Sequence, residues 1–310
     1  MSTRPTSARP LSVMFVHAHP DDETTTTGAT IARYATAGAR VSLVTCTRGE
    51  QGELVDPEAD PATLTRYGGR TAPRTAAAAE QFGRLRSREL TQACRSLGIG
   101  PAEFLGGPGR WQDSGMAGTP TGPGTFLAAD PDDCTRALVA LIRTHRPQVM
   151  VTYDQDGGYG HPDHIRAHQI TMAAADAAAD LRAHPNGGTP WTVPRVLAAV
   201  IPHSALHAAA RQLSRTPPHG ANPFTGAENG GPLPFGVPDD QVDVHIDATT
   251  HLPAKLAAMR AHRTQMHPQG WFFALATRPG STMGHEYYRF LRRDNHPGPG
   301  AADDLFAGLR

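Results

Sequence analysis

Two short apolar runs, each ending in a knot of histidines and aspartates, constrain this chain more than any other feature of its sequence. Leu11 to Val16 reads LSVMFV and runs straight into HAHPDDE at 17–23, while QVMVTY at 148–153 runs into DQDGGYGHPDH. A nearly continuous apolar run of this length is what a strand buried on both faces of a parallel sheet requires. Around these runs the chain alternates strand and helix patterns. Helical spacing marks 28–37, 76–97, 133–145, 162–183 and 252–262, and strand patterns mark 41–47, 102–105, 195–200 and 242–247. The alternation predicts an α/β, Rossmann-like fold whose mostly parallel sheet carries helices on both faces. Ligands of such sheets bind beyond the carboxyl ends of strands, at a topological switch point. The two polar knots are therefore expected to share one crevice, which favours a single domain over two.

That domain is expected over 11–292, with a disordered arm at 1–10, a Pro- and Gly-rich loop excursion at 205–240 and a tail at 293–310. Twenty-nine Lys and Arg against 29 Asp and Glu give a formal charge of +0, so no global field steers the chain to nucleic acid or an anionic bilayer. No apolar run approaches the roughly 18 residues of a membrane helix, and MSTRPTSARP lacks an apolar targeting core. The expectation is a cytoplasmic protein with a small-molecule substrate and neither nucleic acid, membrane nor protein partner. Cys46, Cys94 and Cys134 are odd in number and widely spaced, which argues against both a disulfide framework and a thiolate metal site. The glycine-rich stretch 106–124 carries neither a dinucleotide fingerprint nor a phosphate-loop lysine.

The polar knots carry the chemistry. Two imidazoles and three carboxylates within seven residues, directly after a buried strand, are costly to bury without a cation or hydrogen-bond partners. Imidazole and carboxylate together suit zinc or iron(II), with three protein ligands leaving room for a water. The second knot, Tyr159-Gly160-His161-Pro162-Asp163-His164, offers the third ligand at a helix start, where Pro162 suits the first helical position. Spacing alone does not say which histidine binds, or whether Asp163 ligates or orients.

AHPDDE at 18–23 with HPDH at 161–164 resembles the paired motifs of the LmbE-like superfamily of metal-dependent de-N-acetylases, which includes the GlcNAc-phosphatidylinositol de-N-acetylases. Within it, TTGATIARYA, VTCTRGEQGE, GGPGRWQDSGM and GGYGHPDHI are similar to the mycothiol-biosynthesis deacetylases. The resemblance implies one divalent metal per chain, zinc or alternatively iron(II), held by His19, Asp22 and His164. It implies Asp21 as general base, His161 as oxyanion donor oriented by Asp163, and Tyr159 moving toward the reacting carbonyl. Arg86, Asp113 and Met116 are implied as substrate contacts. The implied reaction removes the N-acetyl group of 1-D-myo-inosityl 2-acetamido-2-deoxy-α-D-glucopyranoside.

Each residue also has a bland reading. Asp21 and Asp22 would complement a helix dipole, Arg86 and Asp113 would be exposed charges, His17 would be structural or support a ligand, and His168, one turn after His164, would lie at the surface or support a ligand. His262, His267 and His285 are candidates for the pocket rim. Two rival functions stand beside the deacetylase: a mycothiol S-conjugate amidase, and a sugar- or metal-binding protein without catalysis on the same fold. Asp21 beside a complete ligand set is the feature a binding protein would not need.

Overall fold

The computed structural model describes residues 10–55, 62, 66, 74–185, 187–215, 217, 218, 220, 222–292 and 302–309. Apart from Pro10, the expected N-terminal arm lies outside them. The strands are β1 (Ser12–His17), β2 (Arg40–Thr45), β3 (Glu103–Phe104), β4 (Val149–Tyr153), β5 (Arg195–Val200), β6 (Val244–Asp247) and β7 (His285–Arg292). They form one sheet in the order β3-β2-β1-β4-β5-β7-β6. The first five strands run parallel, and β7 pairs antiparallel with both β5 and β6.

Among the described residues, the helices of six residues or more are α1 (Asp22–Thr36), α2 (Ala76–Ser96), α3 (Pro131–His145), α4 (Pro162–Ala179), α5 (His203–Arg215), α6 (Leu252–Ala261) and α7 (Trp271–Ala276). Alternate residues of β1 explain why its run is unbroken. Val13 and Phe15 pack with α1, α2 and α6 on one face, and Met14 and Val16 pack with α3 and α4 on the other. All six β1 residues are buried, as a two-sided strand demands.

The chain leaves β1 toward β2 and β3, then returns to place β4 on the other side of β1. The switch point thus lies between β1 and β4, registered through Val13↔Val149 and Phe15↔Val151. Their carboxyl ends carry the two polar knots, so the fold brings them together where the switch-point rule puts ligands.

Several expectations are corrected. The first helix begins at Asp22, six residues before the apolar period, so Asp22 and Glu23 occupy its first turn. Residues 203–215 form α5, so the excursion is not loop from 205 onward. Strand β7 falls in a stretch where no element is expected, because an inward Glu286 breaks its apolar alternation with Tyr288 and Phe290. The expected tail is part of the core over 302–309: Leu305 and Phe306 are fully buried. Arg195 donates to Leu305 O at 2.6 Å and Ala307 O at 2.7 Å.

Candidate metal centre

Asp22 is the hub of the crevice. Its Oδ2 accepts the Tyr153 hydroxyl at 2.7 Å and the His19 backbone N–H at 2.9 Å. It also lies 3.3 Å from His19 Nδ1 and 3.3 Å from His164 Nε2. His19, Asp22 and His164, drawn from both knots, therefore converge. Tyr153, the last residue of β4, was not singled out by its sequence; its hydroxyl also takes the Ala18 N–H at 2.9 Å and so ties the end of β1 to Asp22. His17 sits beneath, fully buried between Tyr153 and Thr27. Burial lowers its pKa to about 4, so it is a neutral support.

The tautomers of the three ring donors follow from their partners. His164 Nδ1 faces Gly157 O at 3.1 Å; a carbonyl only accepts, so Nδ1 carries a proton and Nε2 is the nitrogen turned to Asp22 and to an ion. That Nε2 is buried without a hydrogen-bond partner among the described residues. Gly157 is required here: its φ is +66°, and a Cβ would lie 2.8 Å from that of His164. His161 is fixed the other way. As N-cap of α4 its Nδ1 accepts the Asp163 N–H at 3.1 Å, which leaves Nε2–H as a donor. Burial, and then nearby His19 and His164, lower its pKa to about 4.

The expected orientation of His161 by the Asp163 carboxylate is corrected. Asp163 Oδ2 takes the Ser114 N–H at 2.9 Å and lies 3.3 Å from His19 Nε2, so the carboxylate serves His19. It is the backbone N–H of Asp163 that sets His161. A carboxylate on Nε2 of His19 leaves Nδ1, on the Asp22 side, for an ion. Burial opposes charge on His19, but Asp113, Asp163 and Asp22 outweigh it and hold its pKa well above the ordinary value. Burial likewise opposes charge on Asp22, and His164 and His19 outweigh it and hold that carboxyl well below its usual range. The unpartnered His164 Nε2 and Asp163 Oδ1 suit a cation. Two overlapping groups, His19-His161-His164 and His19-Asp113-Asp163, each bring their donor atoms within 4.8 Å of one another.

Asp21 stands beside this cluster in a strained posture, with φ 114° and ψ −29°. Its backbone N–H donates to Glu23 Oε2 at 2.9 Å, and Glu23 is paired with fully buried His262 at 2.7 Å. His262 is thus a buried support and not a rim residue. Burial pushes the Asp21 carboxyl up to about 6, with the Arg86 guanidinium pulling the other way. Arg86, only 2% exposed, donates to Asp21 Oδ2 at 3.1 Å, Pro20 O at 2.5 Å and Gly49 O at 2.6 Å. It therefore braces the Asp21 turn and is no exposed charge.

Asp113 is also buried. It accepts the Gln51 and Gly115 N–H groups and sits 3.6 Å from His19 Nε2. Its own N–H donates to Glu50, which Arg48 holds through its Nε at 3.0 Å; these two residues of the 48–54 run thereby anchor the Asp113 loop. Met116, 55% exposed, stands farther along that loop, outside the buried cluster. Tyr159 is 52% exposed, its ring edge-on to His164 with centroids 5.0 Å apart. His168 Nδ1 contacts Tyr153 O at 2.9 Å from one turn beyond His164.

Residues 14–175 match the family model described as PIG-L, GlcNAc-PI de-N-acetylase. A protein of Catenulispora acidiphila named 1D-myo-inositol 2-acetamido-2-deoxy-alpha-D-glucopyranoside deacetylase 3 is 47% identical over 97% of this chain and 87% of its own length. The similarly named deacetylase of Mycolicibacterium smegmatis is 43% identical over 96% of each chain. Among solved structures, the N,N'-diacetylchitobiose deacetylase of Pyrococcus horikoshii aligns at TM-score 0.56 and 16% identity, over 90% of this chain and 83% of its own. The 4-carboxy-2-hydroxymuconate hydratase GalB of Pseudomonas putida aligns equally, at 0.56 and 18%, over 95% and 99%. These two likenesses concern the fold alone, which evidently hosts different chemistries. The match across both motifs and the relatives spanning nearly the whole length agree with the crevice: the chain belongs to the GlcNAc-PI de-N-acetylase family.

Proposed function

We propose that the chain hydrolyses the N-acetyl group of 1-D-myo-inosityl 2-acetamido-2-deoxy-α-D-glucopyranoside, releasing acetate and the free amine, as the names of its relatives state for them. The observation that carries the reading is His164 Nε2, buried without a well-formed hydrogen bond and 3.3 Å from Asp22 Oδ2, with Asp21 the adjacent residue in the chain. One divalent ion, zinc by the donor chemistry and iron(II) as the alternative, is held by His19, Asp22 and His164. When bound, it supplies Lewis acidity toward the amide carbonyl and acidifies water.

The protein's own groups do the rest. Asp21, close to neutrality in pKa and braced by Arg86, takes the proton of the attacking water. The Nε2–H of His161 donates to the developing oxyanion, and its neutral ring suits a donor preorganised for that charge. The proton then passes to the departing nitrogen as the C–N bond breaks. Tyr159, half exposed at the mouth, closes toward the carbonyl. The sugar hydroxyls lie against the wall formed by Arg86, Asp113 and the Met116 loop. Among the described residues no helix is long and apolar enough to cross a membrane; the partner in this reading is a small glycoside, and the location cytoplasmic.

Acetate release from the inositol-linked substrate, measured beside release from an S-conjugated cysteinyl analogue, tests the reading. A higher kcat/KM on the acetylated compound is expected. A preference for the S-conjugate would make the chain an amidase, and turnover of neither would leave a binding protein.

A further inference from the structure

Beyond Asp22, Tyr159 and His164 the crevice opens into a chamber of about 610 Å³. Its walls include Leu206 and Ala209 of α5, Phe224 and Phe235 of the excursion, and Trp271 and Leu275 of α7, while of its polar members Lys255 and Glu286 are spent on each other at 2.7 Å. These residues belong to an apolar cluster separate from the two that cover the sheet. They also lie beyond the 14–175 segment that carries the family match. Neither Arg86 nor Asp113 borders the chamber. The catalytic cluster therefore stands between these buried polar groups and a mostly apolar room.

Apolar surface left open beside a site marks a ligand surface. Aliphatic and aromatic walls offer the hydroxyls of a glycoside no hydrogen-bond partner, although a ring face can stack on them. An acetyl methyl, of the order of the ~30 Å³ that a water molecule occupies, fills a small part of the space. We propose that the chamber is an acyl subsite and that the chain hydrolyses glucosamine amides whose acyl group is an unbranched alkyl chain several carbons longer than acetyl. The inference rests on the deacetylase reading and extends its substrate class. With the hydroxyls against Arg86 and Asp113, the scissile carbonyl lies at the cluster and the alkyl chain continues past Tyr159 into the chamber.

The chemistry needs no reagent but water. Its oxygen bonds to the carbonyl carbon, the C–N bond breaks, the proton reaches the nitrogen through Asp21, and a carboxylate and an amine leave. Each methylene taken out of water is worth up to about fourfold in kcat/KM, the equivalent of about 0.8 kcal/mol.

The test compares N-acetyl, N-butyryl and N-hexanoyl glucosaminyl inositol on the metal-loaded full chain, beside methyl and octyl glycosides of N-acetylglucosamine. At least a tenfold rise in kcat/KM from acetyl to hexanoyl is expected. The hexanoyl-to-acetyl ratio should collapse in Ala205→Phe, which sets a ring into the chamber from a half-buried position of α5. Turnover of the acetyl compound with equal or slower turnover of the longer amides overturns the inference and leaves the deacetylase standing. A gain with aglycone length in place of acyl length also overturns it, by giving the chamber to the other end of the substrate. Hydrolysis of no amide removes the deacetylase reading itself.

Discussion

The two sides of the site are built on opposite principles. On the crevice side nearly every polar group is pinned: Asp22 by Tyr153, His164 by Gly157 O, His161 by the Asp163 N–H, and Asp21 by Glu23 and Arg86. On the chamber side aliphatic and aromatic side chains make most of the wall around open space, with Thr25, Thr26, Lys255, His285 and Glu286 as polar members. Buried polar groups are expensive unless each is paired, so the crevice must be rigid and specific in residue type. An apolar wall needs only volume and tolerates exchange. Chemistry is therefore concentrated on one side, and latitude in what is accepted on the other.

The comparison breaks most sharply at the ligands. His164→Ala should lose both metal and acetate release to background, because Nε2 meets only Asp22, itself a ligand of the set, among the described residues; elemental analysis showing full occupancy would remove it from the set. Tyr153→Phe deletes the hydroxyl that fixes Asp22 and should weaken metal affinity about 10–100-fold, the usual effect of removing a group that orients a ligand. Unchanged affinity in a competition titration with a chelating dye would show that Asp22 needs no such support.

A pH profile sharpens the role of Asp21. A base acts when ionised, so with its carboxyl raised to about 6 by burial, kcat/KM should fall about tenfold per unit as pH drops below that value. A cation bound beside it favours the carboxylate and moves this limb lower. A profile that rises toward acid would contradict the assignment. The smallest effect on chemistry should come from Phe306→Ala, far from the crevice. It empties a fully buried position and should lower stability by about 3–5 kcal/mol in denaturant unfolding while kcat is kept.

The same contrast explains what could be read in advance. Strands β1 and β4 announce themselves because a two-sided strand must be apolar throughout, and a cluster of histidines and aspartates directly after such a run is costly to bury without a cation or hydrogen-bond partners. Pairings across the chain carry no such signal. That Asp163 faces His19, or that His262 meets Glu23, depends on tertiary placement over 144 and 239 positions. The chamber walls were illegible for another reason: Leu206, Phe224 and Trp271 look like core until the space between them is seen. The 302–309 segment was hidden by its separation from any periodic stretch, although Leu305 and Phe306 are as apolar as any core pair.

The central claim is that ion binding and proton transfer belong to adjacent but different residues, Asp22 and Asp21. Metal content and acetate release measured together on Asp21→Asn test it most directly. The account predicts one ion per chain, as in the unaltered protein, with turnover reduced about 10² to 10⁴-fold. Loss of the ion in step with the activity would make Asp21 a ligand and contradict the account.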